Sequence, residues 1–299
     1  MLYLVRIQDN SQARSNRPMP HPYFLGCPQW QHPDWNRVLP PGPSPLARYS
    51  QVCNSVEGNT TFYATPSAEQ CERWRSQVPD PFRFLFKLPR QITHDQMLAG
   101  VDQPLQAFLS LLDPLQDVLG PLLLQLPPAF GPEHLNNLWR FIDTLPSPLT
   151  CAVEVRHPAF FEKGHAERDL NRGLRERALA RVCFDTRALF SAPATDEATR
   201  DAQGKKPKLP LHLLPGDAPP VIRYIGHPDL EANRPFLQPW VDRVADWIAE
   251  GKQPYIFMHM PDSGDALALA RLWNELLVQR VPAADFPGLR QEEPQIGLF

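Results

Sequence analysis

The sequence predicts a (β/α)8 barrel, a fold of class α/β, on three observations. Eight short apolar runs recur along the 299 residues, the stretches between them have helical periodicity, and most runs stop at a polar or charged residue. Strand and helix alternating in this way is the pattern of a parallel barrel, whose chemistry sits at the C-terminal strand ends. Such a barrel takes ~250 residues, so the chain length suits one large domain.

The first run, Tyr23–Gly26, opens the expected barrel, and Trp30 and Trp35 follow it. Ser44-Pro45 then offers an N-cap with proline at the first helical position. The second run, Val52–Glu57, ends on an acid and leads into Asn59, Thr61, Phe62 and Tyr63; Ser67 with Gln70 three residues on fits a capping box. Phe82–Lys87 is the third run, with His94 a few residues beyond. Asp102 to Leu119 has helical spacing but contains Pro114, which predicts two pieces or a kink. The fourth and fifth runs are Leu122–Gln125 and Cys151–Arg156, the latter followed by His157.

The sixth run, Arg181–Asp185, precedes a connection that is long for a barrel unit. Thr186 to Pro220 carries two proline-rich pieces around a short helical stretch, with the basic cluster Lys205, Lys206 and Lys208. Long excursions after barrel strands serve as lids or substrate loops, and a solvated charged loop is the alternative. Val221–Tyr224 and Tyr255–His259 complete the eight. Pro235–Glu250 and the stripe Leu269, Leu272, Trp273, Leu276 and Leu277 read as amphipathic helices covering the sheet. The expected organisation is an extension over 1–22, poorly ordered with a brief apolar start, a barrel over 23–281, and a tail over 282–299 draped outside.

Composition narrows the classes. With 42% hydrophobic and 21% charged residues and a net charge of −3, the chain reads as globular, with no global field toward nucleic acid or anionic membranes. No apolar run approaches the ~20 residues of a membrane helix. The 36 prolines are scattered, so they read as punctuation of short connections. Five cysteines without a CxxC pair read as buried small hydrophobes in a reducing compartment, with Cys27 conceivable as a nucleophile. Met1 to His21 lacks the pattern of a signal peptide, so the expected location is the cytoplasm.

Side chains alternate along a strand, so Glu154 and Arg156 point the same way, as do Arg83, Leu85 and Lys87. Glu57, Lys87, Gln125, Glu154, Arg156, Asp185, Arg223 and His259 are thereby expected in one mouth. The catalytic candidates are Glu57, Glu154, Asp185 and His259, as general acids or bases. The substrate-binding candidates are Trp30, Asn59, Thr61, Tyr63, Lys87, His94, Gln125, Arg156, His157 and Arg223. One lysine and two arginines at the strand ends suit a small carboxylated or phosphorylated substrate. A structural ion-pair network round the rim is the competing reading of the same charges. Two other function classes stay open: a non-catalytic nucleotide or nucleic-acid binder, disfavoured by net charge, and a metal-dependent hydrolase or isomerase. No HxH or HExxH spacing supports metal ligation, so no metal ligand is assigned, and neither the cofactor nor the oligomeric state is legible.

Several motifs together carry a resemblance. They are GCPQW at Gly26–Trp30, VEGNTTFYATPS at Val56–Ser67, FRFLFKLPRQITH at Phe82–His94 and LGPLLLQLPPAFGP at Leu119–Pro132, followed by VEVRHPAFF at Val153–Phe161, IRYIGH at Ile222–His227 and YIFMHMPD at Tyr255–Asp262. Over roughly residues 23 to 280 the chain resembles the YecE-like family, domain of unknown function 72, closest to its YecE branch. The resemblance implies a TIM barrel with the motif residues gathered at the strand C-termini. It implies no activity.

Overall fold

Parallel strands carry the structure, a computed structural model that describes residues 21–290 except Pro215. Residues 1–20 of the expected extension and 291–299 of the expected tail lie outside the described residues. The strands are β1 (Phe24–Gly26), β2 (Ser55–Gly58), β3 (Arg83–Phe86), β4 (Leu122–Gln125), β5 (Cys151–Glu154), β6 (Ala180–Arg181), β7 (Cys183–Asp185), β8 (Val221–Ile225) and β9 (Tyr255–His259). Almost all their residues are buried, which is why the runs read as continuously apolar instead of alternating.

The ladders form three all-parallel sheets, ordered β1-β9-β8-β7, β2-β3 and β4-β5-β6. The fold is thus mixed α/β with parallel sheets, and the continuous eight-strand ladder expected from the sequence is not formed. Isolated contacts cross the seams. Phe84 pairs with Leu119 and Lys87 with Leu123 between the β3 and β4 regions, and Glu57 N–H donates to Cys27 C=O at 3.0 Å. The sixth apolar run divides at Val182, whose N–H donates to Val153 C=O at 2.8 Å, so its first half pairs with β5 and its second with β8.

Local chemistry sets the element ends. Ser44 Oγ accepts from Ala47 N–H at 3.1 Å, with Pro45 opening α1 (Pro45–Tyr49). Asn59 precedes the short α2 (Thr60–Tyr63), and the expected capping box starts α3 (Ala68–Ser76), with Ser67 and Gln70 bonded reciprocally. Pro114 does interrupt its segment: α4 (Asp102–Leu111) gives way to a 3-10 turn over Asp113–Val118. Next come α5 (Leu135–Asp143) and α6 (His165–Glu176), after β4 and β5. The long connection after β7 contains two helices, α7 (Arg187–Ser191) and α8 (Glu197–Lys205). Finally α9 (Arg234–Ala249) buries Leu237, Trp240, Val241, Val244 and Trp247, and α10 (Ala266–Arg280) buries Leu269, Leu272, Trp273 and Leu277. These are the faces the periodicity assigns to the core.

Two apolar clusters divide the interior. The larger lies where helices meet strands, while a smaller one joins Phe24, Leu85, Leu123, Ala152, Val182, Val221 and Phe257, residues of all three sheets. Gly26 permits the tight approach of β1 to β2: a Cβ there would stand 2.3 Å from Ser55 C=O. The described part of the tail does pack, with Ala284, Phe286 and Leu289 buried and Phe286 edge-on to Tyr23 at 5.4 Å. All five cysteines are buried and free, and no helix among the described residues is long and apolar enough to cross a membrane.

Candidate functional site

At the C-terminal ends of the strands, charges that the sequence scatters over 200 residues converge. Period-two alternation explains which ones. Side chains two residues beyond members of the small apolar cluster take the next position along the same face: Lys87 after Leu85, Gln125 after Leu123, Glu154 after Ala152, Arg223 after Val221 and His259 after Phe257.

Arg223 is the hub. Its Nε and Nη2 donate to Glu57 Oε2 and Oε1, both at 2.7 Å, a bidentate pair, and Nη1 donates to Glu154 Oε2. Arg156 Nε donates to Glu154 Oε1 at 2.8 Å, and its Nη2 donates to Gln125 Oε1 at 2.9 Å. His259 Nε2 lies 3.0 Å from Glu57 Oε2. Phe184 floors the two guanidiniums, with Arg223 5.1 Å and Arg156 5.4 Å from its ring centre. Glu57, Glu154 and Arg223 are buried, so each charge survives through its partners.

The protonation states follow. Burial pushes the Glu57 and Glu154 carboxyls up, but Arg223 with His259 on the first, and Arg223, Arg156 and Lys87 on the second, overcome it. Glu57 is held well below the usual carboxylate range and Glu154 at about 2. Burial works to lower Arg223, and the two glutamates more than reverse it. Burial outweighs the Glu57 contact at His259 and lowers it to about 4, so the ring is neutral at pH 7 and can donate Nε2–H to Glu57. His94 is likewise lowered to about 4, by burial and then by Lys87.

Lys87 differs from the other charges. It is buried, yet among the described residues no carboxylate lies within 4.0 Å of its ammonium. Its Nζ instead stands 3.9 Å from the centre of the Phe62 ring. Burial first, then Arg223 and Arg156, lower it to about 7, against the opposing pull of Glu154 and Glu57.

Above this network lies a cavity of about 610 Å³. Its walls carry Lys87, Arg90, Arg156, Lys205, Lys206 and Arg223 against a single carboxylate, Asp201. Asn59, Phe62, Tyr63, His94, Gln125 and His259 also line it. Tyr63 stands at the rim, 80% exposed and edge-on to Phe62. Lys205 is ion-paired with Asp201 at 2.7 Å and Arg90 with Asp95 at 3.2 Å. Lys206 is half-buried just past the end of α8; burial and then Arg223 lower it to about 8, while Glu57 opposes.

Four sequence candidates stand apart from this cavity. Asp185 faces the helices: it accepts from Arg187 N–H at 3.0 Å, from the Arg187 guanidinium at 2.9 and 2.8 Å, and from Trp240 Nε1 at 2.8 Å. Its neighbour Phe184 takes the inward position, so the alternation through Val182 and Phe184 turns Asp185 away. Trp30 packs edge-on against Trp74 at 5.3 Å and Phe84 at 6.3 Å. Thr61 is buried, its Oγ1 2.6 Å from Lys87 C=O and 3.0 Å from Gly58 C=O, where it ties the ends of β2 and β3 together. His157 Nδ1 accepts from Ala159 N–H at 3.2 Å and caps a 3-10 turn over Pro158–Phe161.

Conversely, Arg90, Lys205 and Lys206 line the cavity without having been singled out as binding residues. The basic cluster after β7 was the available signal for the two lysines. For Arg90 there was none, since Pro89-Arg90 reads as an ordinary loop start. Among the described residues no group of three His, Cys, Asp or Glu side chains is placed to hold a metal ion.

A parallel α/β fold with an arginine–glutamate network beneath a cation-lined cavity thus defines the molecule. The chain belongs to the family described as protein of unknown function DUF72, whose model matches residues 24–294. It is 44% identical over 254 residues to the UPF0759 protein YecE of Escherichia coli K12, covering 85% of this chain and 92% of that one. To the UPF0759 protein YunF of Bacillus subtilis 168 it is 26% identical over 271 residues, covering 85% and 94%. Among solved structures it is similar to a DUF72 family protein from Enterococcus faecalis V583, with a TM-score of 0.63 at 17% identity over 85% of this chain and 95% of that one. A DUF72 family protein from Thermotoga maritima MSB8 gives 0.59 at 21% identity over 85% and 98%.

Proposed function

We propose that the protein is an enzyme acting by acid/base chemistry on a small phosphorylated or carboxylated substrate held in the cavity at the C-terminal strand ends. One observation carries this reading, an excess of positive charge: six cationic side chains line that cavity, and two of them, Lys87 and Lys206, have no carboxylate within 4.0 Å among the described residues. In a site partly shielded from water such an excess is compensated by an anion. Arg156, Lys206 and Arg223 supply the charge, and Asn59, His94 and Gln125 supply neutral polar contacts. Glu57 and Glu154 spend their oxygens on the two arginines and His259, so they act as positioning residues that hold the guanidinium planes. Lys87, which titrates near neutrality, is the best-suited proton carrier.

The test is calorimetry with inorganic phosphate and a panel of small phosphorylated and carboxylated compounds. Binding that weakens as salt rises is expected for at least one of them, and the variant Lys206→Ala loses most of it. If no compound binds, the reading fails. A nucleotide or nucleic-acid ligand is the second reading, favoured by the exposed ring of Tyr63 on the cavity that Arg90 and Lys205 also line. Its mark is an affinity for oligonucleotides that falls steeply with salt.

The same proposal takes the three sheets as arcs of one (β/α)8 barrel over residues 23–281. The small apolar cluster shared by all three sheets and the isolated hydrogen bonds across the seams support it. A crystal structure with a continuous ladder through β1-β2 and β3-β4 is the check. Five buried thiols suit a cytoplasmic protein.

A further inference from the structure

We propose that Lys87 is a covalent nucleophile that forms an imine with a carbonyl-bearing anion, a keto acid or a keto phosphate, held in the cavity above it. The inference rests on the anion reading given above and narrows its substrate class. Three features of the geometry carry it. Lys87 ends the inward row of β3, where Thr61 clamps its carbonyl and so fixes the point from which its side chain leaves the backbone. The ammonium lies against the face of Phe62 at 3.9 Å, and no carboxylate engages it within 4.0 Å among the described residues. It lines the same cavity as Arg156, Arg223, Arg90 and Lys206, so an anionic group bound by those cations brings the rest of a small molecule within the same space.

A lysine that served only as a structural charge would be better stabilised by a carboxylate partner. Glu57 and Glu154 are nearby, but their oxygens are directed to Arg223, Arg156 and His259. Burial and the two guanidiniums lower Lys87 to about 7, opposed by Glu57 and Glu154, so about half of it is free amine at neutral pH. An ordinary lysine near 10.4 offers roughly a thousandfold less. The other titratable groups of the same cavity whose values are shifted, His94 and Lys206, are lowered to about 4 and about 8.

The step balances without any added co-reactant. The amine lone pair attacks the carbonyl carbon, a C–N bond forms, and the carbonyl π pair moves to oxygen. A proton passes from nitrogen to that oxygen and gives a carbinolamine. The C–O bond then breaks as the C=N bond forms, and both amine hydrogens leave in the water released.

Pyruvate and dihydroxyacetone phosphate are the probes. The full chain is incubated with each, reduced with borohydride, digested and mapped by mass spectrometry, while calorimetry with inorganic phosphate reports anion binding on the same preparation. The expected result is a reduced adduct on Lys87 at least about tenfold above that on any exposed lysine, in keeping with its larger share of free amine. The variant Lys87→Arg abolishes the adduct, and should that variant fail to fold, the map on the unaltered protein still decides. Phosphate binding with no adduct on Lys87, or with adducts confined to Lys206, overturns the imine and leaves the anion reading standing. Absence of phosphate binding together with absence of adduct overturns both.

Discussion

Replacing Glu154 by Gln separates the two roles that a strand-end carboxylate could have. Glu154 is buried, with Arg156 on one oxygen and Arg223 on the other. An amide can accept from one guanidinium but must turn its NH2 toward the second, which sets donor against donor. The carboxyl is held at about 2 against an ordinary 4.5, because Arg223, Arg156 and Lys87 outweigh the cost of burial. Losing one partner of a buried ion pair costs about 3 kcal/mol or more. Because the folded-state value is depressed, that stabilisation is complete above about 4.5 and is lost as pH falls toward about 2. Urea unfolding at pH 7 and at pH 3 is the assay. Glu154→Gln should lower stability by about 3 kcal/mol at pH 7, with a smaller difference at pH 3. Equal stability of the two proteins at pH 7 would refute the assignment of Glu154 to a charge network that supports the fold.

Three further outcomes follow from particular contacts. Asp185→Asn should cost about 1–3 kcal/mol by weakening the Arg187 and Trp240 bonds, yet leave phosphate affinity unchanged; a selective loss of binding would contradict its placement among the helices. Affinity for sulfate, an anion of constant charge over this range, should decline as pH rises through about 7 and 8, where Lys87 and Lys206 lose their protons, and a flat calorimetric profile from pH 6 to 9 would exclude both lysines from the site. Gly26→Ala places a Cβ 2.3 Å from Ser55 C=O and should destabilise the protein by at least about 2 kcal/mol in thermal melts. A neutral result there would mean that β1 and β2 are not held so close.

The site was partly legible in the chain. Glu57, Lys87, Gln125, Glu154, Arg156, Arg223 and His259 were predicted to meet because each stands at or near the C-terminal end of an apolar run, and these seven do stand together. Asp185 also ends a run yet faces the other way, because that run was read as one unbroken strand. The break at Val182 shortens that strand, and Phe184 takes the inward place. Trp30, Thr61 and His157 looked like loop ligands, but each is used by the fold: one against Trp74, one on two carbonyls, one as a cap. Lys206 was seen only within a basic cluster on a long connection, read as a lid or substrate loop or else as a solvated charged loop.

Periodicity, caps and proline placement are properties of neighbouring residues, so the sequence alone determined the alternation of strands and helices, the interruption at Pro114, the capping box at Ser67, and the family. Which charges pair is a property of distance in space. Arg223 reaches Glu57 across 166 residues and Glu154 across 69, and Lys206 arrives from the long connection after β7. Only the tertiary structure decided that Glu57 and Glu154 are neutralised by arginines while Lys87 is left without a carboxylate, because burial cost and charge compensation depend on what surrounds each group and not on its place in the chain.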